Sequence, residues 1–516
     1  MTELLFNDKN IFFWIGFLII VLSLLFQFLQ KEKPALLLLV AAGFFFFFYA
    51  TLEVPFLNLW DERFHALVAK NFLYHFFIPT LYDEELFKMS YGWATAHIWV
   101  HKFPLFLWQG TLFYKIFGVN EIAFRLPGAL LCSIMVYGGY RSGKLIYNQQ
   151  AGYITGILIA TSSYLWQLVS GFAPLDQNDL VFTAYISLSI WTMIEYVYSG
   201  KLYWALLTAI FSGFAILTKW VVGLLVYLIW SAYTFFKYKW DFKQYAIVFW
   251  SALLSIAISI PWQVYIFMQY PFEAKREYEF NLHHLNSVID SQGGPLYYHF
   301  TYMGLIFGSL VPVFLAPSLV FFYLKGNNRK MNLSLIISII FVYLFYSIAK
   351  TKMQSFTAII ILPMYLSLAV SIVYFWEWVS MKIKSSHKVN SLLFLGVFLI
   401  LVCMRLNFNS LKANNGFWGK DVDCYDGLKH NKAIFQRLNV PSNAVLFNIP
   451  GCHPIEAMFY TGLPAYGFIP DEVQYKELKD NRRVVAIFNP SGGKLPDYLA
   501  NDKDVIILKD TLHPCE

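Results

Sequence analysis

The sequence predicts a multi-pass α-helical membrane protein that ends in a small soluble α/β domain. Hydrophobic residues make up 58% of the 516 residues and charged residues 14%, whereas soluble domains are on average about half apolar and about a quarter charged. Apolar runs of roughly 20 residues, the length that a membrane helix needs, recur between residues 11 and 406. After residue 407 the apolar runs become short, and polar residues separate them.

About twelve apolar runs are long enough for membrane helices, and together they define a predicted membrane domain at 1–406. The runs cover 11–29, 35–52, 124–142, 151–171, 179–198, 203–219, 221–237, 245–267, 298–322, 332–349, 354–376 and 390–406.

Five clusters of lysine and arginine all fall on alternate connections between these runs, which places those connections in the cytoplasm. The clusters are Lys31 with Lys33, Arg141 with Lys144, Lys237 with Lys239 and Lys243, Lys325 with Arg329 and Lys330, and Lys382 with Lys384 and Lys388. The other connections then face outward, among them the aromatic loop 53–123, for which we expect amphipathic interfacial helices. The scattered clusters also account for the net charge of +7, so the sequence does not predict nucleic acid binding.

Residues 407–516 predict an outward-facing α/β domain. We expect strands and helices at 444–449, 454–460, 471–480, 484–488 and 504–508. The domain also contains three of the five cysteines. Outside the cytosol one pair among them could form a disulfide, and the candidates are Cys424, Cys452 and Cys515.

Ionisable side chains collect on five separate outward-facing connections. They are Asp61 and Glu62, Asp176 and Asp179, Lys219, His283 and His284, and Lys350 and Lys352. Ionisable groups at membrane depth are costly and are functional candidates by default. Because transporters place such groups nearer the bilayer midplane, this distribution predicts an active site at the outer interface.

Each of these residues also has a structural interpretation. Asp61 and Glu62 fit the start of a helix, lysines at membrane ends can extend to the interface, and the two histidines could form a solvated pair. The coincidence of five connections favours an active site over these separate explanations. Two other functional classes stay open. One is a transporter or lipid flippase, and the other is a non-catalytic subunit that would tolerate loss of Asp61.

Several segments, in order along the chain, resemble the motifs of one enzyme family. They are WDERFHA at 60–66, HKFPLFLW at 101–108, FGV at 117–119 with FRLP at 124–127, LTKWVVG at 217–223, GGPLYY at 293–298 and AKTKMQSF at 349–356. This ordered set resembles the C-type (GT-C) glycosyltransferases, and more narrowly the branch with the aminoarabinose lipid A transferases and the protein O-mannosyltransferases.

The resemblance implies a GT-C membrane fold and transfer of a sugar from a polyprenyl-phosphate donor to a lipid, glycan or protein acceptor. It places the reaction at the outer face of a bacterial inner membrane, with the C-terminal domain in the periplasm. Asp61 would be the base or would stabilise charge on the sugar. Glu62 would support Asp61, and Asp179 matches the second outer carboxylate of the family.

The same resemblance implies a phosphate site. Lys102 matches the family's donor-phosphate lysine and would neutralise the leaving polyprenyl phosphate. Lys352, Lys219 and His284 are further candidates for this site, and His284 lies nearest to the position where relatives often carry an arginine.

The motifs also depart from the family at several positions. His101 stands where a glutamate is common, Phe103 replaces a proline, and Phe356 replaces a tyrosine. Some relatives bind a metal nearby, and His101 with His283 or His284 could bind a divalent metal such as zinc, which favours nitrogen ligands. Whether a metal is bound stays open at this stage, and no other cofactor is predicted.

Overall fold

A computed structural model describes residue 5, residues 8–59, 61–89, 92–171, 177–383 and 422–515, and part of 395–406. Asp176, one of the outward-facing carboxylates, lies outside the described residues. The helices up to residue 383 are α1 Asn10–Phe28, α2 Glu32–Thr51, α3 Asp61–Asn71, α4 Pro104–Phe117, α5 Glu121–Ile146, α6 Gln149–Ala160, α7 Ser163–Ser170, α8 Gln177–Ser199, α9 Leu202–Ile216, α10 Leu225–Tyr238, α11 Phe242–Gln269, α12 Pro271–Asn286, α13 Tyr298–Thr301, α14 Met303–Phe307, α15 Val311–Lys325, α16 Arg329–Ile348 and α17 Ile361–Ile383.

Eight helical segments of the described residues are long and apolar enough to cross a membrane, which confirms the multi-pass helical fold. They are α1, α2, α5, α8, α11, α16, and two that begin with a 3₁₀ turn, Val221–Tyr238 and Gln354–Lys382. Two further apolar helices, α9 and α15, are shorter, with 15 residues each.

Helix breaks explain two of the differences from the predicted runs. The run 151–171 is divided into α6 and α7, because the side chain of Ser162 accepts a hydrogen bond from the Leu165 amide and caps a new helix. The run 298–322 is interrupted at Gly308, whose φ of 123° no helix continues through. In the run 390–406, eight of the 17 residues lie outside the described residues.

Helices α3 and α4 form the core of the outer loop 53–123. Nine of the eleven residues of α3 are buried. Helix α3 therefore differs from the interfacial helices that we expected for this loop. Helix α4 is different, since Leu112, Ile116 and Phe117 are each more than half exposed. An interfacial position of α4 stays a prediction.

The C-terminal domain is built around a three-stranded parallel sheet in the order β1-β2-β3. Its elements are α18 Val422–Arg437, β1 Ala444–Phe447, α19 His453–Thr461, α20 Glu472–Asp480, β2 Val484–Phe488, α21 Asp497–Ala500 and β3 Ile506–Leu508. All four residues of β1 are buried, as expected for a parallel sheet with helices on its faces. The small sheet domain predicted from the sequence is therefore confirmed.

Two of the three candidate cysteines lie next to each other in this domain. The Cys515 thiol donates to the Cys424 carbonyl at 3.4 Å and lies 3.0 Å from the Nδ1 atom of His513. Cys452 precedes α19 in another part of the domain. A disulfide among these three cysteines stays a prediction.

Candidate active site

A cavity of about 1360 Å³, including its open mouth, lies where several helix ends meet. Its wall is formed by the start of α3, the segment before α4, the start of α8, the segment after α9, helix α12 and the segment 349–359. Six of the predicted site residues line it, namely Asp61, His101, Lys102, Asp179, Lys219 and His284. The cavity therefore brings together residues that lie far apart in the sequence.

Two carboxylate–ammonium pairs lie in the wall of the cavity. The Nζ atom of Lys102 lies 3.0 Å from Oδ2 of Asp61. Lys219 is ion-paired directly with Asp179, and the Ser355 hydroxyl donates to the other oxygen of Asp179 at 2.6 Å. Both carboxylates lie in the first turn of a helix, α3 or α8, where the helix dipole stabilises negative charge.

The charge on Asp61 is stabilised by its neighbours. Burial alone would raise the pKa of Asp61, but the nearby Lys102 ammonium, together with His65 and His101, holds this pKa well below its usual range. Asp61 is therefore ionised at neutral pH. An ionised carboxylate beside an ammonium provides, within one hydrogen-bond length, an acceptor for a proton and a partner for a phosphate oxygen.

His284 contributes a neutral side chain to the same wall. Burial lowers its pKa to about 4, and the positive charges of Lys102 and Lys219 and the neighbouring His101 act in the same direction. An uncharged imidazole cannot replace the arginine that relatives often carry for the donor phosphate. The lysines of this wall are Lys102 and Lys219.

We expect His284→Gln to change donor affinity by less than about threefold, a difference under about 1 kcal/mol. The physical reason is that a neutral ring is replaced by a neutral amide of similar reach. The measurement is binding of a polyprenyl-phosphate-linked sugar, a phosphodiester whose charge does not change in this range, at about pH 5.5 and about pH 7.5. Tighter binding at the lower pH that disappears in His284→Gln would show that His284 is protonated on the donor complex.

Glu277 is a site residue that the sequence analysis missed. Its Oε2 atom lies 2.8 Å from Nδ1 of His101, and only 8% of Glu277 is exposed. Glu277, Asn281 and His284 are spaced at i, i+4 and i+7 on α12 and therefore lie on one helix face. This helical spacing of polar residues in an outward-facing segment was the sequence signal that could have identified Glu277.

The candidate metal ligands are His101, His283 and His284, and a metal at this place stays a prediction. His101 pairs with Glu277, and His283 is exposed and does not line the cavity. Within the described residues, no group of three or more histidine, cysteine, aspartate or glutamate side chains could hold a metal ion. A zinc site needs at least three such protein ligands, so we derive no step through a metal.

Glu62 lies next to Asp61 in sequence but faces away from the cavity. Arg125 of α5 holds both of its oxygens, with Nε at 2.7 Å from Oε1 and Nη2 at 2.9 Å from Oε2. The Gln177 amide and the Asn58 backbone amide also donate to Glu62, at 2.6 and 2.7 Å. Its support for Asp61 is therefore structural, because this buried pair fixes the start of α3 against α5.

Lys352 likewise lies behind the cavity wall. Its ammonium donates to the carbonyl oxygens of Tyr346, Ser347 and Ala349 at 3.3, 2.7 and 2.8 Å. These carbonyls end α16, where backbone acceptors have no partner within the helix. In the described geometry Lys352 caps α16, and its predicted contact with the donor phosphate has no support.

A family model supports the resemblance over part of the chain. Residues 101–265 match the model described as dolichyl-phosphate-mannose-protein mannosyltransferase. A relative, an uncharacterized protein of Aquifex aeolicus (strain VF5), is 27% identical over 358 residues, which cover 67% of this chain and 64% of the relative. The match thus spans slightly less than two thirds of that relative's length.

Solved structures establish the fold. ArnT from Cupriavidus metallidurans bound to undecaprenyl phosphate superposes with a TM-score of 0.59 at 17% identity, covering 87% of this chain and 89% of ArnT. The oligosaccharyltransferase AglB from Archaeoglobus fulgidus, in complex with an inhibitory peptide and a dolichol-phosphate, gives a TM-score of 0.51 at 12% identity, covering 83% of this chain and 64% of AglB. The chain has the GT-C glycosyltransferase fold, and its resemblance to the ArnT and mannosyltransferase branch is confirmed.

Proposed function

We propose that this chain is a glycosyltransferase that moves a sugar from a polyprenyl-phosphate donor to an acceptor oxygen at the outer face of the membrane. The observation that carries the proposal is the contact between Lys102 and Asp61, 3.0 Å apart in the wall of one large cavity. In the proposed reaction Lys102 is the cation for the leaving phosphate, and Asp61 directly beside it is the base for the attacking group. The family match and the undecaprenyl phosphate bound to ArnT support the donor class.

The reaction assigns one task to each member of this pair. The acceptor oxygen attacks the anomeric carbon and forms the new glycosidic bond, while the bond from that carbon to the donor phosphate oxygen breaks. The electron pair leaves with polyprenyl phosphate, whose charge Lys102 stabilises. Asp61 takes the proton of the acceptor hydroxyl. Atoms and charge balance without a further co-reactant.

The pair of Asp179 and Lys219 is proposed to act on the sugar of the donor. The Asp179 carboxylate is fixed by Lys219 and by Ser355, so its orientation does not depend on a bound ligand. A carboxylate held in this way can stabilise positive charge that develops on the sugar ring. We propose this role for Asp179, and for Lys219 the role of holding it and of adding to the positive field at the phosphate.

The transporter alternative places its charges differently. In this structure the charged cavity residues lie at helix starts or in the segments between helices, since Asp61 and Asp179 begin α3 and α8 and Lys219 follows α9. Substrate sites of secondary transporters lie near the bilayer midplane in broken helices. The arrangement therefore favours an enzyme that works at one membrane face.

Purified protein in detergent distinguishes the two classes, because a transporter has no membrane to cross there. Incubation with polyprenyl-phosphate-linked sugars and candidate lipid, glycan and peptide acceptors should give a product whose mass increases by one sugar residue. A mass-spectrometric comparison of cell-envelope glycolipids and glycoproteins with and without the protein would identify the native acceptor. Failure of transfer across the panel, with donor binding intact, would contradict the proposal.

The proposal also requires the cavity and the C-terminal domain to lie on the outer side. We expect a cysteine at Ser491, an exposed position of the C-terminal domain, to react with an impermeant thiol reagent in intact cells. A cysteine at Arg329, at the start of α16, should react only after lysis. The experiment needs a background in which Cys403 and Cys452 are replaced by serine, and the opposite labelling pattern would invert the orientation.

A further inference from the structure

The C-terminal domain makes a buried ionic contact with the helix that carries Asp61. Arg63, two residues after Asp61, places Nη1 3.3 Å from Oε1 of Glu456 in α19. The other oxygen of Glu456 lies 2.9 Å from Nδ1 of His453. The three side chains are 6%, 3% and 0% exposed in the order Arg63, Glu456 and His453, so this chain of contacts is shielded from water.

A second contact fastens the other end of the same helix. Lys70, in the last turn of α3, donates to the carbonyl oxygens of Met458 at 3.0 Å and Phe459 at 2.7 Å. Its ammonium also lies over the Phe459 ring, 5.8 Å from the centroid. Helix α19 therefore holds α3 near both ends, through Arg63 in the first turn and Lys70 in the last.

The position of Asp61 relative to Lys102 depends on how α3 is held. Lys102 belongs to the segment before α4 and is not part of α3. A rotation or shift of α3 would move Asp61 and thereby change its 3.0 Å contact with Lys102 in the cavity. Displacement of a reacting group by about 1 Å can cost about a hundredfold in rate.

We propose that Glu456 of the C-terminal domain is a positioning residue, which sets the orientation of α3, and thereby of Asp61, through Arg63. The inference rests on the proposed function, because it assigns to the domain a task in sugar transfer. It makes the C-terminal domain a part of the catalytic unit. Glu456 touches no reacting atom and does not line the cavity.

The test measures steady-state transfer, donor affinity and thermal unfolding in the full-length protein. Glu456→Gln keeps the shape and a partner for His453 but leaves the Arg63 charge without its carboxylate. Loss of one partner of a buried pair is strongly destabilising. With this variant alone, a loss of activity through unfolding could not be distinguished from a loss through displacement of Asp61. The double variant Arg63→Met with Glu456→Gln removes both charges together, and such replacements are often neutral for stability.

We expect the double variant to unfold close to the wild-type temperature and to bind the donor as wild type does. Its kcat should fall by about tenfold to a hundredfold, with KM for the donor unchanged. Glu456→Asp keeps the negative charge on a shorter side chain, so its kcat should lie between those of the double variant and the wild type. The matched control is Glu472→Gln, which breaks an exposed pair with Lys476 in the same domain and should change none of these quantities.

Wild-type kcat in a folded double variant would overturn the positioning role of Glu456. A loss of kcat accompanied by an equal loss of donor affinity would also overturn it, because a shifted phosphate site and not Asp61 would then be affected. Failure of the proposed function has a different signature, since wild-type protein would then bind the donor and transfer no sugar.

Discussion

Replacement of Asp61 by asparagine is expected to lower the rate of sugar transfer by about 10²–10⁴-fold, the contribution of a well-placed general base. Asparagine has nearly the same size and is as good at a helix start, so α3 should keep its position. Its amide cannot take the proton of the acceptor hydroxyl. The measurement is kcat for transfer from a synthetic polyprenyl-phosphate-linked sugar.

Asp61→Asn should lower the transfer rate but should not lower the affinity for the donor. In the structure Lys102 contacts the Asp61 carboxylate at 3.0 Å, and a phosphate has to compete for this ammonium. Without the carboxylate charge the donor should bind at least as tightly as in wild type. Glu85→Gln, an exposed carboxylate of the same outer loop, is the matched control. A rate loss below about tenfold would move the role of base to Asp179.

The residues of the candidate site could be named from the sequence, but their pairing could not. The motifs identified Asp61, Lys102, Asp179 and Lys219 one by one. The pairs Lys102–Asp61 and Lys219–Asp179 join residues 41 and 40 positions apart. Such contacts depend on where the ends of α3, α8 and α9 meet, and that arrangement is a property of packed helices and not of any one segment.

Glu62 and Lys352 show the limit of reasoning from sequence neighbours. Glu62 follows Asp61 directly, but successive residues of a helix point about 100° apart, since a turn contains 3.6 residues. Asp61 therefore faces the cavity while Glu62 faces Arg125. Lys352 lies between the lining residues Thr351 and Met353, and in such a non-helical segment the side chain points the other way. A residue next to a site residue in the sequence need not point its side chain into the site.

The predicted membrane helices were accurate where the apolar run was uninterrupted. Runs such as 179–198 correspond to single helices, here α8, in which the hydroxyls of Ser189 and Thr192 bond back to the preceding turn and do not divide the helix. The divided runs contain a local signal, Ser162 in one and Gly308 in the other. Hydropathy alone does not show that Ser162 caps a helix, because serine is also common inside membrane helices, where its hydroxyl bonds to the preceding turn.

Lys102→Ala should weaken donor binding and slow transfer together. Its ammonium is the cation nearest to the proposed base, and a charge-assisted contact with phosphate strengthens as the leaving group gains charge. We expect a loss of about tenfold to a hundredfold in kcat/KM, since hydrogen bonds to charged groups contribute about 1.5–3 kcal/mol. Lys102→Arg should keep part of the rate, because arginine retains the charge with a different geometry. Lys115→Ala, an exposed lysine of α4, is the control for a general loss of charge.

The pH dependence of the Lys102 variants distinguishes the effect of Lys102 on the donor phosphate from its effect on the pKa of Asp61. Lys102 is one of the groups that lower the pKa of Asp61, so the alanine variant should have a higher pKa at this carboxylate. A base works only when it is ionised, and activity is lost as the pH falls through its pKa. The acid limb of kcat should therefore move to higher pH in Lys102→Ala and stay near its wild-type position in Lys102→Arg. An acid limb that is identical in both variants would show that the base of the reaction is not the carboxylate in contact with Lys102.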